Sequence, residues 1–176
     1  LWLFDGDWLF HWDGTHATPL ELPDLRASGA RVTTARADRE GRVWIAFTGG
    51  RLGSLERNGA FRILGAADGL TPDAHDTISA IFEDAAGAIW IGGSGGLSRV
   101  ARGRVATLAR DAAFPGGRIW AIVEDAEGFF WLSVDRGIVR VAKAEIEKAL
   151  ADASQRMSFR LFDPLDGLAG SAIGIV

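Results

Sequence analysis

Through most of the chain, short apolar runs rich in β-branched and aromatic residues alternate with small clusters of Gly, Asp, Asn and Arg. Ile78 to Glu83 is one such run. Asp84-Ala-Ala-Gly87 interrupts it, and Ala88 to Ile91 resumes it around Trp90. An Asp opening a tight turn can bond the backbone two residues on, and a Gly closing a type I turn takes the left-handed conformation that lets a hairpin return. The Gly-rich stretch Gly92-Gly-Ser-Gly-Gly96 reads as a connection to Leu97 to Val100, and Arg102-Gly103 as the turn into Arg104 to Leu108. Four antiparallel strands are predicted. The same order recurs in Val32 to Ala37, Val43 to Phe47, Leu52 to Glu56 and Phe61 to Leu64, with Asn58-Gly59 at the last hairpin.

The recurrence is a true repeat. Asp38-Arg-Glu-Gly41-Arg-Val-Trp44, Asp84-Ala-Ala-Gly87-Ala-Ile-Trp90 and Asp125-Ala-Glu-Gly128-Phe-Phe-Trp131 place Asp, Gly and Trp at identical offsets, with tryptophans 46 and 41 residues apart. Trp2 falls one period before Trp44, so the first unit lacks its upstream Asp and Gly. Four strands at this period are the blade of a β-propeller. The expected architecture is all-β, with about four repeats near 1–27, 28–74, 75–115 and 116–167, and 168–176 starting or completing another blade. Lys143 to Ala153 alone reads as helix, with Ile146 and Leu150 on one face and Glu145 placed to pair with Lys148, inserted between the third and fourth strands of the last unit.

Composition narrows the function classes. The 176 residues include no Cys, so disulfides, thiolate metal sites and Cys nucleophiles are excluded. A formal charge of −4, without a dense basic run, argues against nucleic acid as a partner. No apolar window is long enough for a membrane helix, and an opening Leu1 without a charged leader reads as a piece of something longer.

Seven Trp without any Tyr raise the prospect of a carbohydrate-stacking surface. Trp2, Trp44, Trp90 and Trp131 keep one register and are expected to pack between blades. Trp8, Trp12 and Trp120 lie outside it and are better placed for a ligand. Asp38, Asp84 and Asp125, with Gly41, Gly87 and Gly128, read as turn residues, since each turn offers too few oxygens for calcium. Glu83-Asp84 and Glu124-Asp125 resemble catalytic pairs, but successive strand residues point to opposite faces, so they read as solvated strand ends. His11, His16 and His75 are scattered, and no metal or other cofactor is expected.

The run Asp-x-x-Gly-x-x-Trp-Ile-Gly followed by Gly-Gly-Leu-Ser-Arg, over Asp84 to Arg99, together with Asp68-Gly69-Leu70 and Asp166-Gly167-Leu168, resembles the two-component regulator propeller repeat. The sequence departs from that pattern where Trp131 is followed by Leu132-Ser133-Val134. The resemblance implies an extracytoplasmic or periplasmic sensor propeller of a bacterial membrane receptor, attached to the membrane only through parts beyond this chain and without catalysis of its own. A propeller enzyme, lyase-like or glycosidase-like, and a purely structural interaction scaffold are the alternatives.

Unit-to-unit loops share one face with the loops joining second and third strands, and propeller ligands commonly bind there. His75, Asp76, Arg51, Arg118, Asp135 and Arg136 are the candidates for a small-molecule or carbohydrate ligand. Ring closure is expected through Ile173 to Val176 pairing with the sheet containing Trp2, within one chain as four blades or across a homo-oligomer as eight.

Overall fold

The computed structural model describes residues 1–5, 8–21, 29–70, 76–109, 117–152 and 154–168. The first sheet has three strands, β1 (Trp2–Phe4), β2 (Leu9–Trp12) and β3 (Ala17–Leu20). The second comprises β4 (Val32–Ala37), β5 (Val43–Phe47), β6 (Arg51–Leu55) and β7 (Phe61–Leu64). The third comprises β8 (Ile78–Glu83), β9 (Ile89–Gly93), β10 (Gly96–Ala101) and β11 (Arg104–Ala109). The fourth comprises β12 (Ile119–Glu124), β13 (Phe129–Val134), β14 (Gly137–Ala142) and β15 (Phe159–Phe162). Every sheet is an antiparallel meander in chain order. Among the described residues the first sheet has three strands, with Trp2 on β1.

The first strands β4, β8 and β12 stand side by side, which makes them the inner edge of three radiating blades. Each carries a bulge at the same place, at Thr33, Ser79 and Trp120, where one residue is left without a partner on the next strand. Three apolar clusters fill the spaces between sheets. Trp44 packs with Ile78, Ile89 and Val100 of the next sheet, and Trp90 with Phe130, Val139 and Val141 of the one after. Trp44 is 5% and Trp90 0% exposed, so these two members of the register pack between blades, whereas Trp2 and Trp131 are only partly buried.

Two expectations need correction. The Gly-rich connection shrinks to Ser94 and Gly95, because Gly92 and Gly93 belong to β9. A methyl group on Gly92 would stand 2.6 Å from Ile119 Cγ2, so that glycine serves close approach of neighbouring blades. The helix α1 (Lys143–Ala151) ends before Asp152 and buries Ile146 and Ala149, with Leu150 partly covered, between β11 and β14. Its position between the third and fourth strands is as predicted.

Candidate functional site

Two faces result from the meander. The Asp-x-x-Gly turns and the connections between third and fourth strands lie on one, the turn face. Sheet-to-sheet loops and the turns between second and third strands lie on the other, the loop face.

On the turn face the three Asp motifs share one geometry. The Asp Oδ2 accepts the indole N–H of the Trp six residues on, at 3.0 Å for Asp38, 2.8 Å for Asp84 and 2.7 Å for Asp125. Oδ1 accepts the backbone N–H four residues on, at 2.8 to 2.9 Å. The glycine donates back to the Asp carbonyl with φ of 78° or 79°, a conformation that favours glycine. The Asp is thus a turn residue, as expected, and also the anchor of the core tryptophan.

Two of the three carboxylates also meet a cation. Arg42 Nε lies 2.9 Å from Asp38, and Lys143 Nζ lies 2.7 Å from Asp84. Burial raises the Asp38 and Asp84 carboxyls, but hydrogen bonds from Trp44 and Arg42, and from Lys143 and Trp90, outweigh it and hold both below 3.8. Asp125 is lowered chiefly by the Trp131 indole.

The expectation that Glu83-Asp84 and Glu124-Asp125 are solvated strand ends fails. Asp84 is fully buried. Glu83 accepts the Arg39 N–H of the preceding sheet's Asp turn at 2.9 Å, and Glu124 accepts the Ala85 N–H at 3.0 Å. The two carboxylates of a pair do point apart, as strand geometry requires, and each acts on a different blade. Lys143 then joins Asp84 to Glu124, 3.3 Å away, from the start of α1.

On the loop face, Asp76, Arg118, Asp135 and Arg136 stand in loops, whereas Arg51, expected in a loop, is the first residue of β6, and His75 lies outside the described residues. The structure brings Arg118 and Asp135 together and leaves Arg51 on a different sheet. Asp135 Oδ2 accepts the Arg118 N–H at 2.9 Å, the position at which Thr48 accepts from Arg31 and Ser94 from Thr77. The other oxygen accepts the Trp120 indole N–H at 2.7 Å. The Arg118 guanidinium lies 4.9 Å from the Trp120 ring centre. Trp120 therefore joins the candidate set. Its departure from the tryptophan register was the signal available in the sequence, whereas its bond to Asp135 depends on the bulge.

Among the described residues no group of three or more acidic or histidine side chains is placed to hold a metal, and no helix is long and apolar enough to cross a membrane.

Residues 73–95 match the family model described as "Two component regulator propeller". No curated protein matches the chain. Among solved structures, it is similar to the extracellular domain of the hybrid two-component system BT3049 of B. thetaiotaomicron, at 23% identity and a TM-score of 0.66, over 97% of this chain and 24% of that one. It is also similar to the surface component PorZ of Porphyromonas gingivalis, at 13% identity and a TM-score of 0.68, over 92% and 26%. Virginiamycin B lyase of Staphylococcus aureus matches at 17% identity and a TM-score of 0.59, over 92% and 51%. The chain thus spans a quarter to a half of these relatives, and the likeness is one of fold. With three four-stranded sheets and one three-stranded sheet among the described residues, the chain has the fold of β-propeller blades, and its residues 73–95 match the two-component regulator propeller repeat.

Proposed function

We propose that this chain is the non-catalytic, ligand-sensing part of a bacterial membrane receptor of the two-component type, working outside the cytoplasm. The observation that carries the reading is Trp120. Where the other blades place Thr33 and Ser79, this one holds a partly exposed indole, fixed by Asp135 and flanked by a guanidinium. An aromatic ring positioned in advance loses little freedom on binding, and an adjacent cation favours an anion. Rings bearing a carboxylate, acidic sugars or aromatic acids, are the ligand class this pair fits. The repeat family and the likeness to a two-component extracellular domain support the receptor setting. The lyase likeness reaches no further than the fold, and the Asp135 carboxylate, engaged by two N–H donors, is poorly disposed to act as a base.

Titration of the chain with neutral and uronate disaccharides and with benzoates, followed by tryptophan fluorescence, tests the proposal. Saturable binding should disappear in Trp120→Ala, and Arg118→Ala should weaken carboxylates about tenfold more than neutral analogues. Equal binding by parent and Trp120→Ala sinks it.

A further inference from the structure

A groove of about 710 Å³ opens on the turn face between the β4–β7 and β8–β11 sheets. Its lining includes Arg42, Trp44, Arg62, Ile89, Val100 and Arg102. The strand registers identify what occupies the same place one blade further on. Trp44, Ser54 and Arg62 stand opposite one another as Trp90, Arg99 and Ala106 do, and Ile89 opposite Val100 as Phe130 opposite Val141. Over that second interface lies α1, which sets Ile146 and Ala149 against Trp90 and Val141 and brings Glu147 to 3.9 Å from Arg99. The chain itself shows that an inter-blade groove of this shape accepts a helix.

In register, Arg102 occupies the position of Lys143: one follows Ala101 at the end of β10, the other Ala142 at the end of β14. Lys143 neutralises Asp84 of the preceding blade, but Asp38, the counterpart of Asp84, is already held by Arg42. Arg42 also holds the rim carboxylates Glu40 and Glu56, and Arg62 pairs with Asp68. Among the described residues no carboxylate pairs with Arg102. Arg102 lines the groove and is also the one non-glycine among them with a positive φ, 51°, a backbone conformation that glycine adopts at less cost.

We propose that this groove docks an amphipathic helix of a separate polypeptide. The helix is two to three turns long, with small apolar residues on its buried side and a carboxylate in its first turn for Arg102.

The probe is a fluorescein-labelled peptide with the sequence of residues 143–158 carrying Lys143→Glu, titrated with the chain by anisotropy. Saturable binding is expected. Arg102→Gly suits the backbone and should keep or raise the thermal midpoint while lowering affinity about tenfold. Ser54→Trp, whose side chain lies between Trp44 and Arg62 and so fills the groove, should abolish binding. Unchanged affinity in Arg102→Gly, equal binding of a scrambled peptide, or competition by polyglutamate as strong as by the unlabelled peptide each overturns the proposal, the last by reducing the site to an anion contact.

Discussion

Asp84 receives the N–H groups of Ala86, Ala88 and the Trp90 indole together with the Lys143 ammonium, at 2.7 to 2.9 Å, while fully buried. Removing it leaves the Lys143 ammonium with Glu124 as its one remaining partner and strands several donors. Asp84→Ala should therefore cost about 3 to 5 kcal/mol in urea unfolding. Trp90→Phe keeps the ring but removes one donor and should cost about 1 to 2 kcal/mol beyond its packing change. The carboxyl is held below 3.8 in the folded chain, so the unfolded chain binds the proton more readily. Its contribution is present above the unfolded value and fades as pH falls through the lower folded one. Lys143 is raised above 10.5, so its share is present below that value and fades as pH rises through the higher folded one. Asp84→Asn should flatten the acid limb of the stability profile, and equal acid sensitivity in parent and variant would overturn this account.

At the scale of elements, the strands were legible because their signals are local. Ile78 to Glu83 and Val43 to Phe47 are bounded by turn residues, and the periodic Asp-x-x-Gly-x-x-Trp fixes their order. The length of the connection after Trp90 was not legible, because Gly92 reads as loop composition until Ile119 of the next blade is known to press on it. The roles of Glu83 and Glu124 were hidden for the same reason: their partners, Arg39 and Ala85, lie 44 and 39 residues away across a blade boundary. Of the candidate site, the shared face of Arg118, Asp135 and Arg136 followed from strand order, whereas the tie from Asp135 to Trp120 needed the bulge. Close approach at Gly92 is testable. Gly92→Ala should cost about 1 to 3 kcal/mol by overpacking, and Ile119→Ala in the same chain should recover part of that loss. Strict additivity of the two substitutions would show that the blades adjust around the methyl group. For α1, Ile146→Ala should cost about 2 to 5 kcal/mol, since its side chain is fully buried under the helix.

The whole molecule repeats one joint from blade to blade: a tryptophan buried against the next sheet, and a glutamate from that sheet capping the turn behind it. At Trp44 and Trp90 the joint is complete. At Trp131 the described residues place no sheet beyond it. The ring stacks on Phe162 at 5.7 Å, Arg140 and Arg160 lie over the same aromatic row, and the indole stays partly exposed. The strand expected to close a ring, Ile173 to Val176, lies outside the described residues. This face has the composition of a blade joint, so we propose that a further blade covers it, supplied by more of the same protein or by a second copy. For the chain alone, acrylamide should quench Trp131 more strongly than Trp90, read as the difference between the parent and the Trp131→Phe and Trp90→Phe variants. If a second copy supplies the cover, that quenching should fall as protein concentration rises, in step with the mass measured by sedimentation, and Trp131→Glu should remove both effects. Constant mass with concentration-independent quenching would reject self-association through this face, leaving a further blade of the same chain as its cover.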